Sequence, residues 1–140
     1  MEELIENAIK WALNKQDQAE YPLRCLVFVE DAYEKGNSIE IFGGSTATGS
    51  AEEYGFNPMG CPLKGSFVFY KAVGAIDGLE KDWGHVGLCI GNSEVIHAWN
   101  VVRIDHYLAV QTLSTATGWS APEYLGWTFP ERFLAGYQQR

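Results

Sequence analysis

Between Gly84 and Trp99 the chain reads Gly-His-Val-Gly-Leu-Cys-Ile-Gly, then Asn-Ser, then Glu-Val-Ile-His-Ala-Trp. Two apolar-rich runs joined by Gly91-Asn92-Ser93 commit this segment to a β-hairpin. Two of the three histidines lie in it, His85 and His97, twelve positions apart. Because side chains alternate along a strand, the loop length decides whether they share a face. A three-residue loop, Gly91 to Ser93, pairs Ile90 with Glu94 and Gly87 with His97. His85 and His97 are then diagonal neighbours on one face, with backbones about 7–8 Å apart. A two-residue loop without a bulge would place them on opposite faces. Gly87, with no side chain, leaves the space opposite His97 open.

The rest of the chain divides into a helical first half and a strand-rich second half. Leu4, Ile5, Ala8, Ile9, Ala12 and Leu13 recur at helical spacing and predict an amphipathic helix over residues 2–15. After the polar break from Asp17 to Pro22, the apolar run Cys25 to Val29 continues into Ala32 and Tyr33. It predicts a largely buried helix over 24–35 that Gly36 ends. Residues 36–64 are rich in glycine, with a short helix expected at 50–54; a connection that long often walls a binding cleft. Strands are expected at 65–70, 84–90, 94–99, 101–105 and 123–129. Helices first and strands later read as one α+β domain over residues 1–140, with the helices packed on one side of an antiparallel sheet.

Composition bounds the function. The 140 residues carry a formal charge of -8 and scattered Lys and Arg, which argues against nucleic acid and anionic membrane surfaces as partners. No segment approaches the roughly 20 apolar residues of a membrane span. The acidic opening Met1 to Glu6 lacks a signal-peptide pattern, so a cytoplasmic chain is expected, exported or released by a non-classical route if it acts outside. Three cysteines, Cys25, Cys61 and Cys89, form neither a disulfide framework nor a zinc knuckle.

A histidine on a sheet suits general-base work, since its ordinary pKa lies near neutrality. Cys25 is the candidate nucleophile. It falls in the first turn of the second helix, where free N–H groups and the helix dipole favour a thiolate and could hold an oxyanion. His85 then serves as base and His97 as the group that orients it. Two other readings stand beside this one: a pair of satisfied, non-catalytic histidines, and a zinc site to which Cys89, on the face of His85, adds a ligand. His106 has no partner in the pattern and reads as a surface residue. Trp83 and Trp99 flank the two histidines and are candidate cleft walls, with sheet packing as the alternative.

The order of these motifs resembles the NlpC/P60 family of cysteine peptidases. A cysteine opens a buried helix; Gly65-Ser66-Phe67-Val68-Phe69, Gly84-His85-Val86-Gly87 with Ile90-Gly91, and Val95-Ile96-His97-Ala98 follow, and Tyr124-Leu125-Gly126-Trp127 looks like the family's final strand. The resemblance implies a papain-like fold, no cofactor or metal, and a Cys25–His85–His97 triad cleaving an amide bond in a peptide or peptidoglycan fragment. The chain departs from the family pattern where Arg24 replaces Asp, Leu26 replaces Ser, and Ser66 replaces the Asp of the first strand. Tyr21 is the nearest match to the family's tyrosine, so Tyr21 and Arg24 join Trp83 and Trp99 as expected substrate contacts. In cell-wall members the missing groups recognise the free amino end of a stem peptide. Two alternatives follow: a binding module on the same scaffold, or an amidase like those of the CHAP family. The lecithin retinol acyltransferase-like group is set aside because its His precedes its Cys.

Overall fold

A computed structural model describes residues 1–140 as an α+β fold. Two helices come first, α1 (Glu2–Leu13) and α2 (Cys25–Asn37), followed by the short strand β1 (Ile39–Glu40) and helix α3 (Ala47–Tyr54). Strands β2 (Phe67–Lys71), β3 (Val73–Ile76), β4 (Leu79–Asp82), β5 (His85–Gly91), β6 (Glu94–Ala98) and β7 (Val102–His106) follow. A 3-10 turn at Ala109–Thr112 leads to β8 (Glu123–Thr128), α4 (Pro130–Phe133) and β9 (Gln138–Gln139). The central antiparallel sheet has the order β7-β6-β5-β2-β8, and β1-β9 and β3-β4 form two separate ribbons.

The sheet's two faces carry different cores. Val86, Leu88, Ile96, Ala98 and Val102 pack with Leu26, Phe28 and Val29 of α2 and with Ala8 and Ala12 of α1. The opposite face gathers Val68, Tyr70, Cys89, Val95, Tyr107, Val110 and Trp127. Alternation in the sequence is the cause, since neighbouring residues of one strand serve opposite layers.

Three expectations change. Helix α2 runs through Gly36 to Asn37, and the left-handed residue that ends it is Ser38 (φ 54). Gly36 is instead a packing glycine: a Cβ there would meet the Asn7 carbonyl oxygen of α1 at 2.8 Å, so the residue is small because two helices cross closely. The hairpin turn is two residues long, Asn92 (φ 53) and Ser93 (φ 61), in place of the expected three-residue loop. Gly91, not Ile90, pairs with Glu94, and a bulge at Ile90 restores the pairing of Cys89 with Val95 and Leu88 with Ile96. The bulge repairs the parity that a plain two-residue loop would have broken, so the histidines still share a face. The β3-β4 ribbon adds a hairpin between the expected strands; its Asp77-Gly78 turn (φ 52 and 79) is of the kind that favours a tight reversal.

Candidate active site

Cys25 is the first residue of α2, with Arg24 at the N-cap. The first intrahelical bond runs from Phe28 N–H to the Arg24 carbonyl, so the N–H groups ahead of it have no helical acceptor. The backbone N–H groups of Val86 on β5, of Leu26 and of Cys25 itself pull the Cys25 thiol pKa downward.

His85 opens β5. The turn before it requires glycine: Gly84 has φ 77, and a Cβ there would lie 2.7 Å from the Thr48 nitrogen. This close approach lets the first turn of α3 dock on the strand, with Thr48 N–H donating to the Trp83 carbonyl at 3.2 Å. On the next strand, His97 is fully buried. A Cβ at Gly87 would stand 3.1 Å from the His97 Cβ and collide with Val95, so the small residue leaves room for this ring.

The histidines are in direct contact: His85 Nε2 and His97 Nδ1 are 2.8 Å apart. His97 Nε2 in turn lies 2.8 Å from Asp105 Oδ2 on β7. Arg103 holds that carboxylate with both nitrogens, Nε at 2.8 Å and Nη2 at 3.2 Å. Asp105 and Arg103 extend the hydrogen-bonded series beyond the residues expected from the sequence. The signal was present: β7 pairs His97 with Arg103, and strand alternation puts Asp105 on that same face.

This chain fixes the protons. A carboxylate only accepts, so His97 Nε2 carries the hydrogen and, in the neutral ring, Nδ1 is bare. His85 Nε2–H therefore donates to His97 Nδ1, and His85 Nδ1 keeps its lone pair. Burial lowers His85 well below the ordinary imidazole pKa, and proximity to His97 adds to the effect. Burial also lowers His97, against the pull of Asp105. Burial pushes Asp105 up, but the hydrogen bonds from His97 and Arg103 outweigh it and leave the carboxyl below its ordinary value.

Cys25 departs from the expected thiolate. Burial pushes its thiol up, and the three N–H groups that pull the other way do not offset this. Arg24 is not the neighbour that compensates, for its guanidinium sits over the Tyr21 ring, 5.8 Å from the centroid. Both shifts favour the neutral thiol and the neutral imidazole over the ion pair.

Cys25 and His85 both line a cavity of about 740 Å³, together with Arg24, Trp83, Trp99 and Trp119. The Trp99 ring meets His85 edge-to-face, centroids 5.1 Å apart, and donates its N–H to the Ser114 carbonyl at 3.1 Å. Trp83 donates to the Gly74 carbonyl at 3.0 Å, with Lys81 over its ring. Tyr21 lies outside the cavity: its hydroxyl donates to Asp31 at 3.0 Å and its ring packs edge-on against Phe28.

Cys89 shares the face of His85 and is packed into the core on that face, its thiol 3.7 Å from the Pro62 carbonyl. No group of three or more His, Cys, Asp or Glu side chains is gathered to hold a metal ion. His106 is exposed, as expected. No helix is long and apolar enough to cross a membrane. The chain matches no family model and no curated protein.

Proposed function

We propose that this protein is a cysteine hydrolase of papain-like architecture, related to the NlpC/P60 peptidases, that cleaves an amide bond. The observation that carries the reading is the hydrogen-bonded series Arg103–Asp105–His97–His85, which ends on a histidine that lines one cavity with a helix-opening cysteine.

Cys25 Sγ attacks the carbonyl carbon while its proton passes to His85 Nδ1. The developing oxyanion is held by N–H groups at the start of α2, Cys25 N–H foremost. His85, now charged, is stabilised through His97 by Asp105, then gives its proton to the leaving amine. Water attacks the resulting thioester, His85 again taking a proton, and the free acid leaves. Because thiol and imidazole are neutral at rest, proton transfer accompanies the attack.

A second reading, a binding module on the same scaffold, draws support from the raised Cys25 thiol and from Arg24 and Leu26 beside it. Digestion of purified peptidoglycan, soluble stem peptides and amino-blocked peptides with internal aromatic residues, followed by mass spectrometry, separates the two. Hydrolysis of at least one of these substrates is expected from the wild type, none from Cys25→Ala, and about 10²–10⁴-fold less from His85→Ala. Equal product from wild type and Cys25→Ala contradicts the enzyme.

A further inference from the structure

The charge and composition of the cavity narrow what can bind beside Cys25. Eighteen Asp and Glu residues give the chain a net charge of -8, yet none of them lines this cavity. Asp77 and Asp82 adjoin the lining residues Ile76 and Trp83 along the chain without lining the cavity themselves, and Asp82 Oδ1 is taken by the Ala72 N–H at 3.0 Å. The formal positive charge at the cavity is Arg24, exposed and one residue from the sulfur. A free α-amino group is mostly protonated at neutral pH. It would enter here with no lining carboxylate to receive it, and the one formal charge on the cavity wall, Arg24, carries the same sign, an arrangement that disfavours it.

Apolar surface supplies the positive half of the argument. Trp83, Trp99 and Trp119, three of the five tryptophans, line the one cavity, each only half-buried. Their positions are fixed. Trp83 and Trp99 are pinned by N–H bonds to carbonyls, and Trp119 packs over Gly74, where any Cβ would collide with its ring. The loop bearing Trp119 is tied to β3 in both directions: Ser120 N–H donates to the Val73 carbonyl at 2.9 Å and Val73 N–H to Ser120 Oγ at 3.0 Å. Rigid, half-exposed indoles in a cavity of about 740 Å³ make an apolar site of ligand size.

We infer that the site takes amides whose acyl side carries a large apolar or aromatic group and a blocked nitrogen, and that it discriminates against a free amino terminus. An internal peptide bond after an aromatic residue fits; a stem peptide with its free amino end does not. This rests on the proposed role of Cys25 as nucleophile and deepens it.

Chloromethyl ketones test the selectivity without a turnover assay. Sulfur displaces chloride from the methylene carbon, a C–S bond forming as the C–Cl bond breaks, and the thiol proton passes to His85. Three probes are compared: N-acetyl-phenylalanyl, free-amino phenylalanyl and N-acetyl-glycyl. Cys25 labelling is followed by intact-protein mass spectrometry and divided by each variant's own rate with iodoacetamide. The acetyl-phenylalanyl probe is expected to label at least tenfold faster than either of the others. Trp119→Ala should shrink that preference. Arg24→Asp, which returns a carboxylate to the cavity and can also cap α2, should raise the free-amino rate relative to the blocked one. Equal rates for the three probes, with labelling that still falls in His85→Ala, overturn the selectivity and leave the hydrolase reading standing. Labelling that does not depend on His85 with any probe overturns both.

Discussion

The two faces of the central sheet are built from adjacent residues put to opposite uses. On the α2 side, Val86, Leu88, Ile96 and Val102 are interchangeable in kind: apolar volume against a helix. On the other side, His85, His97, Arg103 and Asp105 take positions one residue away along the same strands, and there they are joined by hydrogen bonds from the Arg103 guanidinium to the His85 ring. A methyl lost from the first face costs packing, about 0.5–1.5 kcal/mol for Ile→Val. A nitrogen lost from the second redirects protons. In β5, β6 and β7 one parity of residues therefore packs on the helices, while the other carries the hydrogen-bonded polar series beside Cys89 and Val95 of the second core.

The largest expected effect comes from the end of the chain of hydrogen bonds. Cys25→Ala abolishes hydrolysis, and His85→Ala reduces it by about 10²–10⁴-fold. Both should leave circular dichroism and a cooperative thermal transition in place. A wild-type rate in either breaks the division between the two faces.

Next is Asp105→Asn. It removes one charge-assisted hydrogen bond, worth about 1.5–3 kcal/mol, or roughly 10- to 100-fold in kcat if it acts on the transition state alone. Since Asp105 favours the charged imidazole, its loss should also move the acid limb of the kcat/KM profile to lower pH. An unchanged profile would mean that Asp105 only props up β7. Ile96→Val, on the opposite face of β6, lowers stability by the packing term and leaves the pH profile where it was.

Smaller still is a pH effect on stability. Both histidines have folded pKa values below the ordinary value of 6.5, so the unfolded state binds more protons under mildly acidic conditions. Their contribution is complete above about pH 6.5 and is lost as pH falls through the folded values. Asp105, also lowered, acts in the same direction at lower pH. The urea midpoint should fall between pH 7 and 5, and His85→Gln should flatten that slope. A midpoint that rises on acidification contradicts neutral buried rings.

Much of this was legible in the sequence. The positions of Cys25, His85 and His97 and the five main strands follow from apolar patterning and glycine punctuation. The loop at Gly91 was misread in length, yet the shared face survived because the bulge at Ile90 supplied the missing residue. Asp105 was readable from β7 alternation and was missed because that strand was treated as an isolated element. Two things were not legible. That burial outweighs the helix N-terminus at Cys25 depends on how deeply α2 packs on β5, and a local window holds no such information. The meeting of Trp119 with Trp83 and Trp99 depends on a loop far along the chain folding back onto β3.

In the proposed mechanism Asp105, through two neutral histidines, presents the bare Nδ1 of His85 as the base for Cys25. Long-range ¹H–¹⁵N correlation of the histidine side chains at pH 7 tests it without any substrate. Both His85 and His97 should be neutral and protonated at Nε2, with the signal of His97 displaced in Asp105→Asn. A hydrogen on His85 Nδ1, or an imidazolium at either position, would contradict it.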